Sequence, residues 1–158
     1  MSLSSDGQTV AVGNPGSDNR NPVINNAGFF RVFNYDGSSN VWTTLGEDIK
    51  GKRPFDHFGM SLSVSADGGI LAVGASEVSN SDRVDQGYSS VFQYAPNVIE
   101  RVQLGQDIGS FVGSFAGYLV SLSADGRFLA IGASFHDGNG VDSGRLRVYR
   151  NPVVALIQ

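Results

Sequence analysis

The sequence predicts an all-β chain of about three four-stranded sheets, stacked like the blades of a partial or open β-propeller. The first observation is a recurring unit. SLSSDGQTVAVGNP (Ser2–Pro15), SVSADGGILAVGAS (Ser63–Ser76) and SLSADGRFLAIGAS (Ser121–Ser134) align, with Asp6, Asp67 and Asp125 61 and 58 positions apart. The second is composition: the 158 residues hold 21 Gly and 41% hydrophobic residues but only 16% charged ones, which suits many tight turns around a packed core. The third is the absence of any helical run. Apolar residues come in short stretches of strand length.

Each unit reads as four strands. The Ser-Leu-Ser or Ser-Val-Ser run is strand one. The Asp-Gly pair that follows is a hairpin signal, because both turn positions tolerate positive φ. Strand two is Thr9–Val12, Ile70–Val73 or Phe128–Ile131, apolar on both faces and expected to be buried on both. Its small Ala11, Ala72 and Ala130 let a neighbouring sheet come close. Strand three follows a glycine each time: Gly28-FFRVFNY, Gly87-YSSVFQY and Gly144-RLRVYR. Strand four is Val41–Leu45 or Glu100–Leu104, and in the last unit Val153–Ile157. The chain thus divides as one repeat array: a first blade over about 1–57, a second over about 58–115, and a third, incomplete one over about 116–158.

Several classes are excluded or disfavoured. The net charge is −4 with 11 basic residues, a poor basis for nucleic-acid binding. Lys50, Lys52 and Arg53 form the longest basic cluster and read as a solvated loop. With no cysteine there is no disulfide and no thiolate metal site. No stretch reaches the roughly 18 apolar residues of a membrane span. The first residues lack the basic-then-apolar pattern of a signal peptide. No Gly-x-Ser-x-Gly elbow or phosphate-binding loop occurs. His57 and His136, 79 positions apart, read as surface residues rather than as a catalytic or metal pair.

The order SADG, LAVGA, loop, Gly-x-x-x-Val-Phe, then Leu-Gly-x-Asp-Ile resembles the FG-GAP repeat, the blade type of the integrin α-subunit propeller and of bacterial and algal surface proteins. Phe58-Gly59 stands for the "FG". Gly74-Ala75-Ser76 and Gly132-Ala133-Ser134 stand for the "GAP", with Gly13-Asn14-Pro15 as a variant. The resemblance spans nearly the whole chain. It implies a propeller of usually seven blades, an extracellular or cell-surface setting, loops that bind ligands, and calcium in some loops between strands two and three. Here those loops are degenerate. In the third unit Asp137, Asn139 and Asp142 offer oxygens. In the second the candidates are Asn80, Asp82 and Asp85, and in the first Asp18, Asn19, Asn21 and Asn26. None makes a full Asp-x-Asp-x-Asp-Gly-x-x-Asp loop, and the competing reading is that these residues cap turns.

The expected function is a non-enzymatic binding or structural module that works through protein–protein assembly. Too few blades are present to close a ring, so other blades or further copies would complete a ring or extend a filament. The alternative is a calcium-dependent or carbohydrate-binding adhesion domain, with Phe29, Phe33, Tyr35, Trp42, Tyr88, Phe92 and Tyr94 as an aromatic platform if they do not pack between blades. A third reading is an enzyme whose site is completed by further blades.

Overall fold

The structure, a computed structural model, describes residues 1–20, 23–76, 87–95, 100–109 and 115–150. Within them there is no helix, and the chain folds into three successive antiparallel sheets, one per sequence unit, with a small hairpin inserted in the first. The first sheet orders β1 (Ser2–Leu3), β2 (Thr9–Asn14), β5 (Phe29–Asp36) and β6 (Val41–Thr44), and β7 (Ile49–Lys50) pairs with the start of β5. The hairpin is β3 (Asn19–Arg20) with β4 (Val23–Ile24). The second sheet is β8 (Phe58–Val64), β9 (Ile70–Ala75), β10 (Tyr88–Ala95) and β11 (Glu100–Gln103). The third is β12 (Leu119–Leu122), β13 (Phe128–Ala133) and β14 (Arg145–Arg150). The expected strand Val153–Ile157 lies outside the described residues.

The recurrence extends to single hydrogen bonds. The Tyr35 amide donates to the Gln8 carbonyl, and the Tyr94 amide to Gly69; Leu45 donates to Val32, and Leu104 to Val91. The three Asp-Gly hairpins share a clasp. Ser4, Ser65 and Ser123 each donate a hydroxyl proton to Asp6, Asp67 and Asp125 at 2.6 Å. The same serine oxygens accept the amides of Thr9, Ile70 and Phe128. The serine hydroxyl holds each of these carboxyls below the usual carboxylate range. Only the glycine of each pair has positive φ, at 71°, 72° and 68°. Both positions of the pair tolerate this conformation, but an i to i+3 bond from Gly7, Gly68 and Gly126 back to the serine carbonyl leaves it to the glycine alone. Ser65 is fully buried, so Ser65→Ala should cost about 1–3 kcal/mol by orphaning the Ile70 amide. The same change at half-exposed Ser123 should cost less than about 1 kcal/mol, because water replaces the lost partner. Denaturant titration of the two variants checks the ranking.

The sheets stack face to face. The core between the first and second holds Ala11, Phe30, Val32, Leu71, Val73 and Phe92; the core between the second and third holds Ile70, Ala72, Val91, Leu129 and Ile131. Strand two is therefore buried on both faces only in the middle sheet, where every residue of β9 is buried. In β2 and β13 burial alternates, which corrects the expectation of two buried faces in all three units: an end sheet has a neighbour on one side only.

Glycines set the closeness of the stack. A Cβ on Gly13 would run into the Gly59 carbonyl, and one on Gly74 into the Gly117 carbonyl and the Ser61 hydroxyl. Gly59 and Gly117, at φ 91° and 89°, follow His57 and Phe115, which themselves stand at φ 50° and 46°. The "FG" position is thus a sharp bend that brings strand one of the second and third units against the preceding sheet.

Candidate functional site

The surfaces that stand out are the two outer faces of the stack. They carry the same residue pattern as the faces buried inside it. On the side of each unit that meets the next one, strand two presents Ala11, Ala72 or Ala130, and strand three places Val32, Val91 or Val148 opposite it. Val32 and Val91 are 3% and 5% exposed, whereas Val148 is 64% exposed. Phe30, Ser89 and Leu146 pair with Gly13, Gly74 and Gly132; the first two are buried and Leu146 is open. We call this the forward face.

On the opposite, backward face the equivalent positions are Met1, Leu62 and Val120, then Leu3, Val64 and Leu122, then Val12, Val73 and Ile131. The members from the second and third units pack against the two cores. Those of the first unit do not: Met1 is 91% exposed, Leu3 57% and Val12 37%. Half-buried Val10 and Phe33, paired across β2 and β5, continue this patch.

Polar contacts tie the sheets together at fixed rungs. The Ser5 amide donates to the Ala66 carbonyl, and the Ala66 amide donates to Ala124. The Ser2 hydroxyl accepts the Val64 amide, and the Ser63 hydroxyl accepts the Leu122 amide at 2.8 Å. Lys52 reaches from the first unit to Asp107 of the second at 2.9 Å. Burial pushes the Asp107 carboxyl up, but bonds from Ser90, Lys52 and Gln103 outweigh it and hold it below the usual range. At the same seam Asp56 is fully buried. Its Oδ2 accepts the Lys52 and Arg53 amides and the Tyr88 hydroxyl, while Oδ1 has no partner among the described residues. Burial raises this carboxyl above the usual range despite the three donors, and burial beside Asp56 also raises Tyr88.

The loops expected to hold calcium are built as clasps. Asp137 Oδ1 accepts the Asp142 amide at 2.8 Å, and Asp18 Oδ1 accepts the Asn26 amide at the same distance. Asp142 and Asn26 both sit in the left-handed conformation, φ 53° and 47°. The Asn139 amide donates to the Ser143 hydroxyl. Asp137 and Asp142 are therefore brought together, with the carboxylate of the first spent on the backbone of the second. Asn80, Asp82, Asp85 and Asn21 lie outside the described residues. Among the described residues no group of three or more His, Cys, Asp or Glu gathers as a metal site would require. His136 accepts the Gly138 amide at Nδ1 in its exposed loop. His57, expected at the surface, is half-buried, with its Nδ1 turned into the protein.

The aromatic residues divide. Phe92 and Tyr88 belong to the core, and Phe92 packs on Phe30 at 5.3 Å between ring centres. Tyr35 and Trp42 form an outward pair at the same spacing. A cleft of about 310 Å³ opens beside Phe30, Val32, Glu47, Asp48, Lys50 and Arg101. Burial lowers the Arg101 guanidinium to about 10, and its nitrogens bind the Gly68 and Gly69 carbonyls.

No known family's sequence profile matches the chain, and no curated protein matches it. A solved structure from a structural and mechanistic analysis of two prolyl endopeptidases is similar to it, with a TM-score of 0.50 at 15% identity. The similarity covers 95% of this chain and 20% of that one, so the chain corresponds to about one fifth of the endopeptidase's length. At this identity the likeness concerns fold alone. The chain is all-β and propeller-like. Among the described residues no helix is long and apolar enough to cross a membrane.

The seam carboxylate Asp56 and the serine rungs were not singled out from the sequence as sites. The recurrence of Ser2, Ser63 and Ser121 at one repeat position was the available signal for the rungs. Nothing in the sequence marks Asp56 as buried.

Proposed function

We propose that the chain is a non-enzymatic binding or structural module that acts through protein–protein assembly, each unit being one blade of a propeller of the FG-GAP kind in an extracellular or cell-surface setting. One observation carries this reading: the outer sheets present, open to solvent, the apolar positions that elsewhere in the chain are buried between sheets. A contiguous apolar sheet face of this sort is a site of association. The loop clasps around Asp18 and Asp137 support turn closure in preference to ion capture. Size-exclusion chromatography with light scattering tests the reading. We expect species larger than the 16.7 kDa chain; a well-folded monomer at all concentrations would count against it.

A further inference from the structure

We infer that the partner for these faces is a second copy of the chain, docked head to tail, with the forward face of its third sheet against the backward face of the next copy's first sheet. This rests on the assembly reading above and names its geometry. The stack already contains this interface twice. In both cases a face with a small residue and glycine on strand two and an apolar residue on strand three receives a face of larger aliphatic side chains. The third sheet keeps the receiving set in Ala130, Gly132 and Val148, and the first sheet keeps the inserting set in Met1, Leu3 and Val12. One chain therefore carries both halves of one interface on opposite ends, which is the condition for a heterologous contact.

The hydrogen-bond rungs extend in the same direction. Ser5 donates to Ala66 and Ala66 to Ala124, so the next donor in the series is the Ala124 amide, and its acceptor would be the Ser5 carbonyl of the second copy. Ser121 follows Ser2 and Ser63 in the repeat, so its hydroxyl would accept the amide of the second copy's Leu3, which stands where Val64 and Leu122 stand inside the chain. Both apolar cover and polar registration are thus specified for this partner and this orientation.

The test uses variants that block one face each. Val12→Asp places a carboxylate on the backward face and Val148→Asp on the forward face; Leu3→Asp and Leu146→Asp serve as a second pair if circular dichroism shows that either of the first two fails to fold. By sedimentation velocity the unmodified chain should associate, and each variant alone should be monomeric, weakened ~100-fold or more because the interface would bury an unpaired charge. An equimolar mixture of the two variants should recover association and stop at a dimer, since each supplies the face that the other lacks. If the unmodified chain associates but the mixture stays monomeric, or if either variant alone associates as well as the unmodified chain, head-to-tail docking is overturned and the assembly reading stands. If the unmodified chain is monomeric throughout, both are overturned.

Discussion

Gly74→Ala should destabilise the protein by about 3 kcal/mol or more, while Gly132→Ala, at the same position of the repeat, should leave folding stability within about 1 kcal/mol of the starting protein. The backbone of Gly74 has no special conformation to defend; what excludes a methyl group is the Gly117 carbonyl, at the bend before β12, and the Ser61 hydroxyl on the paired strand β8. Backbone cannot swing aside as a side chain does, so the second and third sheets must separate, and the core around Ala72 and Leu129 opens with them. At Gly132 the nearest atom is the Leu119 Cβ at 3.5 Å, an ordinary contact, and alanine even suits a strand slightly better than glycine. Gly13→Ala should resemble Gly74→Ala, because the Gly59 carbonyl faces it. Urea unfolding of the three variants measures the contrast. Equal effects at Gly74 and Gly132 would mean that the sheets do not stack as described.

Asp56→Ala is the second large effect, expected to cost on the order of 3 kcal/mol, a substantial part of the 5–15 kcal/mol that holds a typical domain together. The alanine would leave the Lys52 and Arg53 amides and the Tyr88 hydroxyl without their shared acceptor, at the turn that launches β8. Asp56→Asn can keep an oxygen on those donors, so it should retain the fold and isolate the charge. Because burial raises the folded carboxyl above its unfolded value, the stability it contributes is complete below the unfolded value near 3.8 and is lost as pH rises through the folded value. The asparagine variant lacks this loss. It should therefore gain on the unmodified protein as pH climbs from about 4, with no further change once the folded carboxyl is fully ionised. The opposite slope belongs to Asp67 and Asp107, whose lowered values contribute stability that disappears on acidification. Denaturant midpoints of both proteins across that range give the difference directly; a gap that does not vary with pH would show that Asp56 is not buried as charge.

Local pattern carried most of the architecture. The spacing of Asp6, Asp67 and Asp125 placed three hairpins, and the strands fell within a residue or two of Thr9–Val12, Phe29–Tyr35 and Tyr88–Tyr94. Strand one of the second unit is the larger departure. It begins at Phe58, five residues before the Ser-Val-Ser run, because the bend at His57 and Gly59 lays the "FG" residues against the preceding sheet. The aromatic residues likewise could not be sorted from the sequence into packing and surface: Phe33 and Phe92 occupy the same repeat position, but only Phe92 packs in the core between sheets.

The sequence by itself determined the repeat, the strand type and the turns, since alternation, Asp-Gly pairs and small residues act through neighbours a few positions away. Only the tertiary structure decided which of the equivalent faces are covered. Val32, Val91 and Val148 are the same residue at the same repeat position, and burial separates them because burial depends on whether another sheet lies alongside. The same holds for Asp56, whose carboxyl is raised by the closing of two sheets over it and by nothing in the residues around it in the chain.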